Sequence, residues 1–364
     1  MAKRIAYCAD GTWDTSTSHT NVYKLYKALT IGADQMAFYD DGVGADGDPI
    51  IKIAGGAFGT GLWNKIKQGY TKIAHVYESG DSVFIFGFSR GAFTARSLAG
   101  MIMACGLPTQ NFSDDMVDTA FDAYRDQLHR ADKLKKLANN NLANADITMV
   151  GVWDTVGSLG IPSAIGGVDP IAYGFLDTNL HPRIKNACHA LAIDERRAQF
   201  PPTLWKGPAA PGQTLEQVWF TGAHSDVGGG EPDDLPGTTA LSDITLSWMM
   251  AKAAALGLAF DPAVLAQYTM PLDPELALDK FHESWKILNG FPRRRSIDTT
   301  ASIANSVAIR CAEEATWRPQ NLTFDKGVLA KSYQIVNVVK DPAAAEGGAA
   351  QTVRAGAQGG SSAA

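Results

Sequence analysis

The sequence predicts an α/β chain: a mainly parallel sheet flanked by helices, with a helical or loop cap. Two observations carry this. Short apolar runs ending in Gly, Asp or Ser alternate with longer segments of helical period, the pattern of repeated strand–helix units. Chemistry-bearing residues then follow several of those runs directly, at the strand ends where open parallel sheets bind ligands. Composition agrees, since 45% hydrophobic and 19% charged residues exclude a wholly disordered chain and can fill a core. A length of 364 residues allows two domains at about 150 each, but one large sheet also uses that length, and one domain over 1–342 is expected.

In chain order, residues 4–9 read as the first strand. Thr20 can cap a helix whose Val22, Leu25, Tyr26 and Leu29 share one face. A strand at 36–39 and a helix carrying Leu62, Ile66 and Ile73 repeat the unit, followed by a strand at 81–88 and a helix over 92–104. Residues 114–137 are helical by period, with Met116, Ala120, Phe121, Tyr124 and Leu128 on one side, yet highly charged. They are expected on the surface, within a candidate cap insertion at 107–145. A strand at 147–153 leads into a Gly- and Pro-rich stretch carrying Ile161, Ile165, Ile171, Phe175 and Leu176. This second candidate insertion, 157–185, reads either as a pocket wall or as a loop packed on the core. Strands at 187–193, 216–221 and 333–339 complete the sheet, and an Ala/Gly/Ser-rich tail from 343 to 364 is expected to be disordered.

With 32 Lys and Arg against 38 Asp and Glu, the net charge of −6 gives no attraction for a polyanion, so no nucleic-acid partner is expected. Cys8, Cys105, Cys188 and Cys311 lie far apart without zinc-ligand spacing and read as reduced, mostly buried thiols. The amino terminus lacks the apolar run of a signal peptide, so a cytoplasmic start is expected, with a signal-independent export route left open. No apolar window reaches the length of a membrane span, so any membrane contact is expected to be peripheral.

The strongest motif is Gly87-Phe88-Ser89-Arg90-Gly91, a G-x-S-x-G between a strand and a helix. A nucleophile on such a turn has strained backbone and needs glycine on both sides. Its hydroxyl stands at the helix amino end, where the dipole and the Arg90 N–H favour a developing oxyanion. The bland reading is a tight turn with a capping serine. A serine nucleophile needs a base and an orienting acid, and on this fold the order is Ser, Asp, His. Asp154 follows the strand at 147–153, and His224 is the one histidine of seven in a glycine-rich loop after a strand. The alternative acid is Asp194, for which Arg196 and Arg197 offer a structural ion pair. Asp226 reads as fixing the glycine turn at 228–230 or, with His224, as a metal ligand. In Asp10-Gly11-Thr12 after the first strand, Gly11 permits close approach and Thr12 is the second oxyanion donor. Arg293-Arg294-Arg295 reads as a solvated basic loop, with a lipid-headgroup contact as the alternative.

The chain resembles the DUF2235 family of α/β-hydrolases, which includes the Tle1-type phospholipase effectors of bacterial type VI secretion. Matching stretches are CADGTWD with HTNVYKL (8–25), YDDGVG (39–44), GGAFGTGL (55–62), GDSVFIFGFSRGAFTARSLAGMI (80–102), VGVWDTVGSLG (150–160), HALAIDERRAQFPP (189–202) and WFTGAHSDVGGG (219–230). The chain departs from the pattern where Ala9 is inserted before Asp10 and where Glu231 follows the glycines. The resemblance implies Ser89, Asp154 and His224 as a triad, a lipid or small ester substrate, and a cognate inhibitor or immunity protein as partner. Ile161, Ile165 and Phe175 would then line the substrate groove. No cofactor or metal is expected. An amidase or peptidase with the same triad, or a non-catalytic interaction protein on the same fold, stays open.

Overall fold

The computed structural model describes residues 2–11, 14–15, 17–42, 57–156, 178–232, 234 and 237–341, without the side chains of 57–60 and of Leu288. In chain order, strand β1 (Arg4–Ala9) leads to helix α1 (Asn21–Ala28), β2 (Gln35–Asp40), α2 (Ala57–Val76), β3 (Ser82–Phe88) and α3 (Ser89–Cys105). Then come α4 (Asp114–Arg125), α5 (Arg130–Lys135), β4 (Ile147–Trp153), β5 (Ile184–Ala192) and β6 (Thr214–Phe220). The last part holds α6 (His224–Gly228), α7 (Leu241–Ala255), β7 (Ser302–Ala304), α8 (Asn305–Glu313) and β8 (Gln334–Val336).

The eight strands form one sheet of order β8-β7-β6-β5-β4-β3-β1-β2, every described pairing parallel. This is an α/β-hydrolase-like architecture. Side chains alternate across each strand, so Ala6, Cys8, Phe84 and Phe86 enter the core beneath α1, α7 and α8. Ile5, Tyr7, Val83 and Ile85 enter the opposite core, beneath α2, α3 and α4. Burial on both faces explains the nearly continuous apolar runs. The strand order reverses between β1 and β3, which opens a crevice beyond Ala9 and Phe88.

Thr20 caps α1 by accepting from the Tyr23 N–H, as its position implies. Asn21 then donates to Val227 O, Ser242 O and Thr245 Oγ1, tying α1 to α6 and α7. The helix expected over 114–137 is two helices. α4 buries Met116, Val117, Ala120, Phe121 and Tyr124, whereas α5 buries nothing. Leu128 falls in the connection and is 88% exposed. The break has a local cause, because the Arg130 guanidinium turns back onto the last carbonyls of α4, at Ala123 and Tyr124 (3.1 Å each), and satisfies that helix end. A two-stranded antiparallel ribbon, Leu107–Pro108 with Leu142–Ala143, closes the base of the segment. Most of the second candidate insertion and the tail lie outside the described residues.

Candidate active site

The turn after β3 is built by glycines at two places of close approach. A Cβ on Gly87 would lie 2.4 Å from Gly91 O, and one on Gly91 would lie 2.2 Å from Ala9 O. Ser89 between them has φ 58°, a left-handed conformation that costs a non-glycine residue energy and that the packed turn must hold in place. The serine is buried at the amino end of α3.

β3 pairs with β4 so that Phe88 lies opposite Trp153, which leaves Ser89 and Asp154 at the same level beyond neighbouring strands. Asp154 also has a left-handed φ, 41°, and its N–H donates to Ala190 O of β5 (2.8 Å). His224 comes from the turn after β6 and spans both residues: Nε2 lies 2.8 Å from Ser89 Oγ and Nδ1 lies 2.6 Å from Asp154 Oδ2. Its ring packs against two aromatics, 4.6 Å from Phe88 and edge-on 5.0 Å from Phe200 between centroids. A Cβ on Gly228 would overlap the Phe88 ring at 1.9 Å, so that glycine lets α6 sit against the elbow.

Burial opposes ionisation of Asp154, but the Arg295 guanidinium and His224 hold its carboxyl well below the usual carboxylate range. Arg295 Nη1 donates to Asp154 Oδ1 (2.5 Å) and to Ala192 O (2.8 Å), and Nη2 donates to Asp154 Oδ2 (2.8 Å) and to Phe200 O (2.9 Å). This arginine is 5% exposed, so it is not part of a solvated basic run. Three tandem arginines look alike in sequence, and only the path of the loop separates Arg295 from its exposed neighbours. Burial also lowers the His224 imidazole from its ordinary value, with Asp154 pulling it back up.

Gly11 follows β1 on the other side of the elbow. A Cβ there would sit 3.3 Å from Ser89 Cβ, so glycine permits the close approach. Its N–H donates to Asp10 Oδ1 (2.8 Å), which leaves Thr12, outside the described residues, as that loop's remaining oxyanion candidate. Asp10 also accepts from Thr20 (2.6 Å) and Tyr39 (2.7 Å), and burial pushes its carboxyl up to about 6. Burial and the Asp10 charge push Asp14 up to about 7, with the Arg90 side chain opposing. The Arg90 backbone sits in the first turn of α3, at the positive end of the helix dipole.

Asp194 stands apart from the Ser89–His224–Asp154 line and takes no ion pair from its arginine neighbours. Arg196 pairs with Glu283, and Arg197 pairs with Glu195 (2.7 Å). Asp194 instead accepts from the Gly222 N–H (2.9 Å), and its own N–H donates to Gly222 O (2.9 Å), clasping the turn before His224. Burial raises its carboxyl to about 6. Glu195 Oε2 accepts from the His224 N–H (3.4 Å). Asp226 accepts from Ala223 N–H (2.8 Å) and faces His282 Nδ1 (2.6 Å), so it organises the start of α6 and a neighbouring loop. No group of three metal-ligating side chains occurs among the described residues. His189 is buried and neutral, accepting from the Thr155 N–H (3.0 Å) at Nε2. Ile161, Ile165 and Phe175 lie outside the described residues.

The family model described as T6SS, phospholipase effector Tle1-like, catalytic domain, matches residues 3–252. The chain belongs to this family. The Tle1-like match includes Ser89, Asp154 and His224 and ends before Arg295. Uncharacterized protein YEL023C of Saccharomyces cerevisiae is 30% identical over 227 residues, 54% of this chain and 32% of the relative. The chain therefore spans about a third of that relative's length. An uncharacterized protein from Pseudomonas aeruginosa with a solved structure matches at TM-score 0.42 and 18% identity, over 74% of this chain and 49% of that one.

Proposed function

We propose that the chain is a serine hydrolase of carboxylic esters, of the lipase or phospholipase type. One observation carries the reading: the continuous line from Ser89 Oγ to His224 Nε2 at 2.8 Å and from His224 Nδ1 to Asp154 at 2.6 Å. The neutral imidazole donates from Nδ1 to the Asp154 carboxylate, so Nε2 is left to accept the serine proton. Ser89 Oγ attacks the ester carbonyl carbon while its proton passes to Nε2. The carbonyl oxygen becomes an oxyanion, stabilised by the Arg90 N–H with a second donor from the Thr12 loop. Collapse expels the alcohol, which takes the Nε2 proton, and leaves an acyl-serine. Water then gives its proton to Nε2, attacks the acyl carbon and releases the acid, restoring Ser89.

Tle1-like family membership favours lipid esters over amides. The deciding experiment is labelling with a fluorophosphonate probe, wild type against Ser89→Ala, followed by a panel of soluble esters, phospholipids and anilides. The reading expects labelling and ester turnover in the wild type, both lost in the variant by about 10³-fold or more, with the fold intact. Ester hydrolysis at a tenth of wild type in the variant would refute it. Amide cleavage without ester turnover would transfer the site to the amidase class.

A further inference from the structure

We propose that the turn Trp285–Arg294 is an interfacial foot that seats the catalytic edge on an anionic phospholipid surface. The inference rests on the lipid-ester reading of the site and names the surface by which that site meets its substrate.

Among the described residues, Ile287 and Phe291 are 85% and 95% exposed, an unusual position for two large apolar side chains four residues apart. Lys286, Arg293 and Arg294 flank them and are also exposed. Apolar side chains flanked in sequence by three cations, in a chain of net charge −6, mark one local segment suited to anionic headgroups above an acyl layer. A second copy of the chain suits it poorly, because a self-complementary contact would press the same cations together.

The turn is preformed. Asn289 accepts from the Lys286 N–H through its side chain (2.7 Å) and donates its own N–H to Lys286 O (2.8 Å). The half-buried Trp285 donates from Nε1 to Gly290 O (2.9 Å), and the Arg293 N–H donates to Arg196 O (2.8 Å). Little ordering is left to do on contact, so more of the burial free energy appears as binding. Both roots of the turn rest on the site. Ser284 Oγ donates to Glu195 (2.9 Å), which also accepts from the His224 N–H, and Arg295 holds Asp154. A surface touched by the tip therefore lies on the side of the molecule where His224 and Asp154 are held.

The test compares wild type with Ile287→Ser/Phe291→Ser and with Lys286→Gln/Arg293→Gln/Arg294→Gln. Each is sedimented with phosphatidylcholine vesicles and with vesicles containing a quarter phosphatidylglycerol, and assayed on vesicle lipid and on a soluble short-chain ester. Wild type should sediment with the anionic vesicles. The apolar pair should lose about a hundredfold of that partition, since each buried side chain is worth roughly tenfold. The charge variant should lose on the order of a hundredfold at low salt and little at high salt. Both should hydrolyse the soluble ester at the wild-type rate. Unchanged vesicle binding in the apolar pair, no binding by the wild type, or self-association that only the apolar pair abolishes would overturn the proposal. Vesicle binding of the expected pattern without turnover of any ester would leave the foot standing and overturn the catalytic reading instead.

Discussion

Replacing Arg295 by Met tests the site at a charged residue that touches Asp154 without being one of the three proposed catalytic groups. The variant removes two hydrogen bonds to Asp154 and two to the carbonyls of Ala192 and Phe200, and leaves a buried carboxylate facing His224 and one backbone N–H. Breaking such a pair from one side costs about 3–5 kcal/mol of stability. Arg295→Lys, which keeps the charge without the bidentate fork, serves as the folded comparison.

The informative readout is the pH profile. On the proposed mechanism turnover needs neutral His224, so activity should fall as pH drops through the His224 pKa, which burial holds below its ordinary value. Arg295 and the imidazole share Asp154 Oδ2, at 2.8 and 2.6 Å. Their nitrogens are thus at most about 5.4 Å apart, and at an effective dielectric near 20 two positive charges at that distance repel by roughly 3 kcal/mol, or about 2 pH units. Water entering the emptied site would halve this. Asp154 and Glu195, which raise the His224 value, and Arg197, which lowers it, all remain. The acid limb of kcat/KM on a soluble p-nitrophenyl ester should therefore move up by about 1 unit in Arg295→Met, and stay within about half a unit of wild type in Arg295→Lys. A folded Met variant whose acid limb stays in place or moves down would refute the reasoning.

Asp154→Asn should lower turnover by several orders of magnitude, measured on protein shown to be folded, because His224 loses the acceptor that fixes its tautomer. Asp194→Asn should keep turnover near wild type. Its folded carboxyl is raised to about 6, so the acid makes the fold less stable as pH rises from about 4 to 6. Asn keeps the acceptor for Gly222, so the variant should equal or exceed wild type in urea at pH 8, and a large loss there would contradict that account. Gly91→Ala should destabilise by about 3 kcal/mol or more in denaturant melts, since its Cβ would meet the backbone oxygen of Ala9 at 2.2 Å. If the apolar stretch after Asp154 lines an acyl groove, turnover should rise with chain length in a p-nitrophenyl ester series, at roughly fourfold per buried methylene; a flat profile would remove the lipid reading.

Much of this arrangement was legible in the sequence, because strand ends carry the chemistry and strands of β-branched and aromatic residues are easy to place. Ser89, Asp154 and His224 each follow such a run. Arg295 was hidden for the opposite reason: its partner lies 141 residues away, and nothing local distinguishes it from Arg293 and Arg294. The role of Asp194 was misread because adjacency to two arginines says nothing about side-chain direction, and Glu195 takes Arg197 instead. α7 escaped notice because it is apolar almost all round, with Leu241, Leu246, Trp248, Met249 and Met250 all buried, which erases the one-sided period. β7 is only three residues long, too short for alternation to register, and is recognisable only once β6 and β8 flank it.

β5 lies between the strands that carry the proposed acid and base, yet none of its side chains joins their hydrogen-bonded line. It contributes through its backbone and through the two acidic residues just past its end. Ala190 O accepts the Asp154 N–H, the Ala192 N–H donates to Asp154 Oδ1 (3.1 Å), Asp194 clasps Gly222, and Glu195 accepts from the His224 N–H. Acid and base are thus registered against one strand end rather than against each other alone. Arg295 completes the arrangement. With Ala192, His224 and the two guanidinium nitrogens, the Asp154 carboxylate has four donors, enough to occupy its lone-pair directions. A carboxylate so filled has no remaining freedom to rotate and little reason to take up a proton, and those are the two properties that an orienting acid needs to hold one imidazole tautomer against a serine.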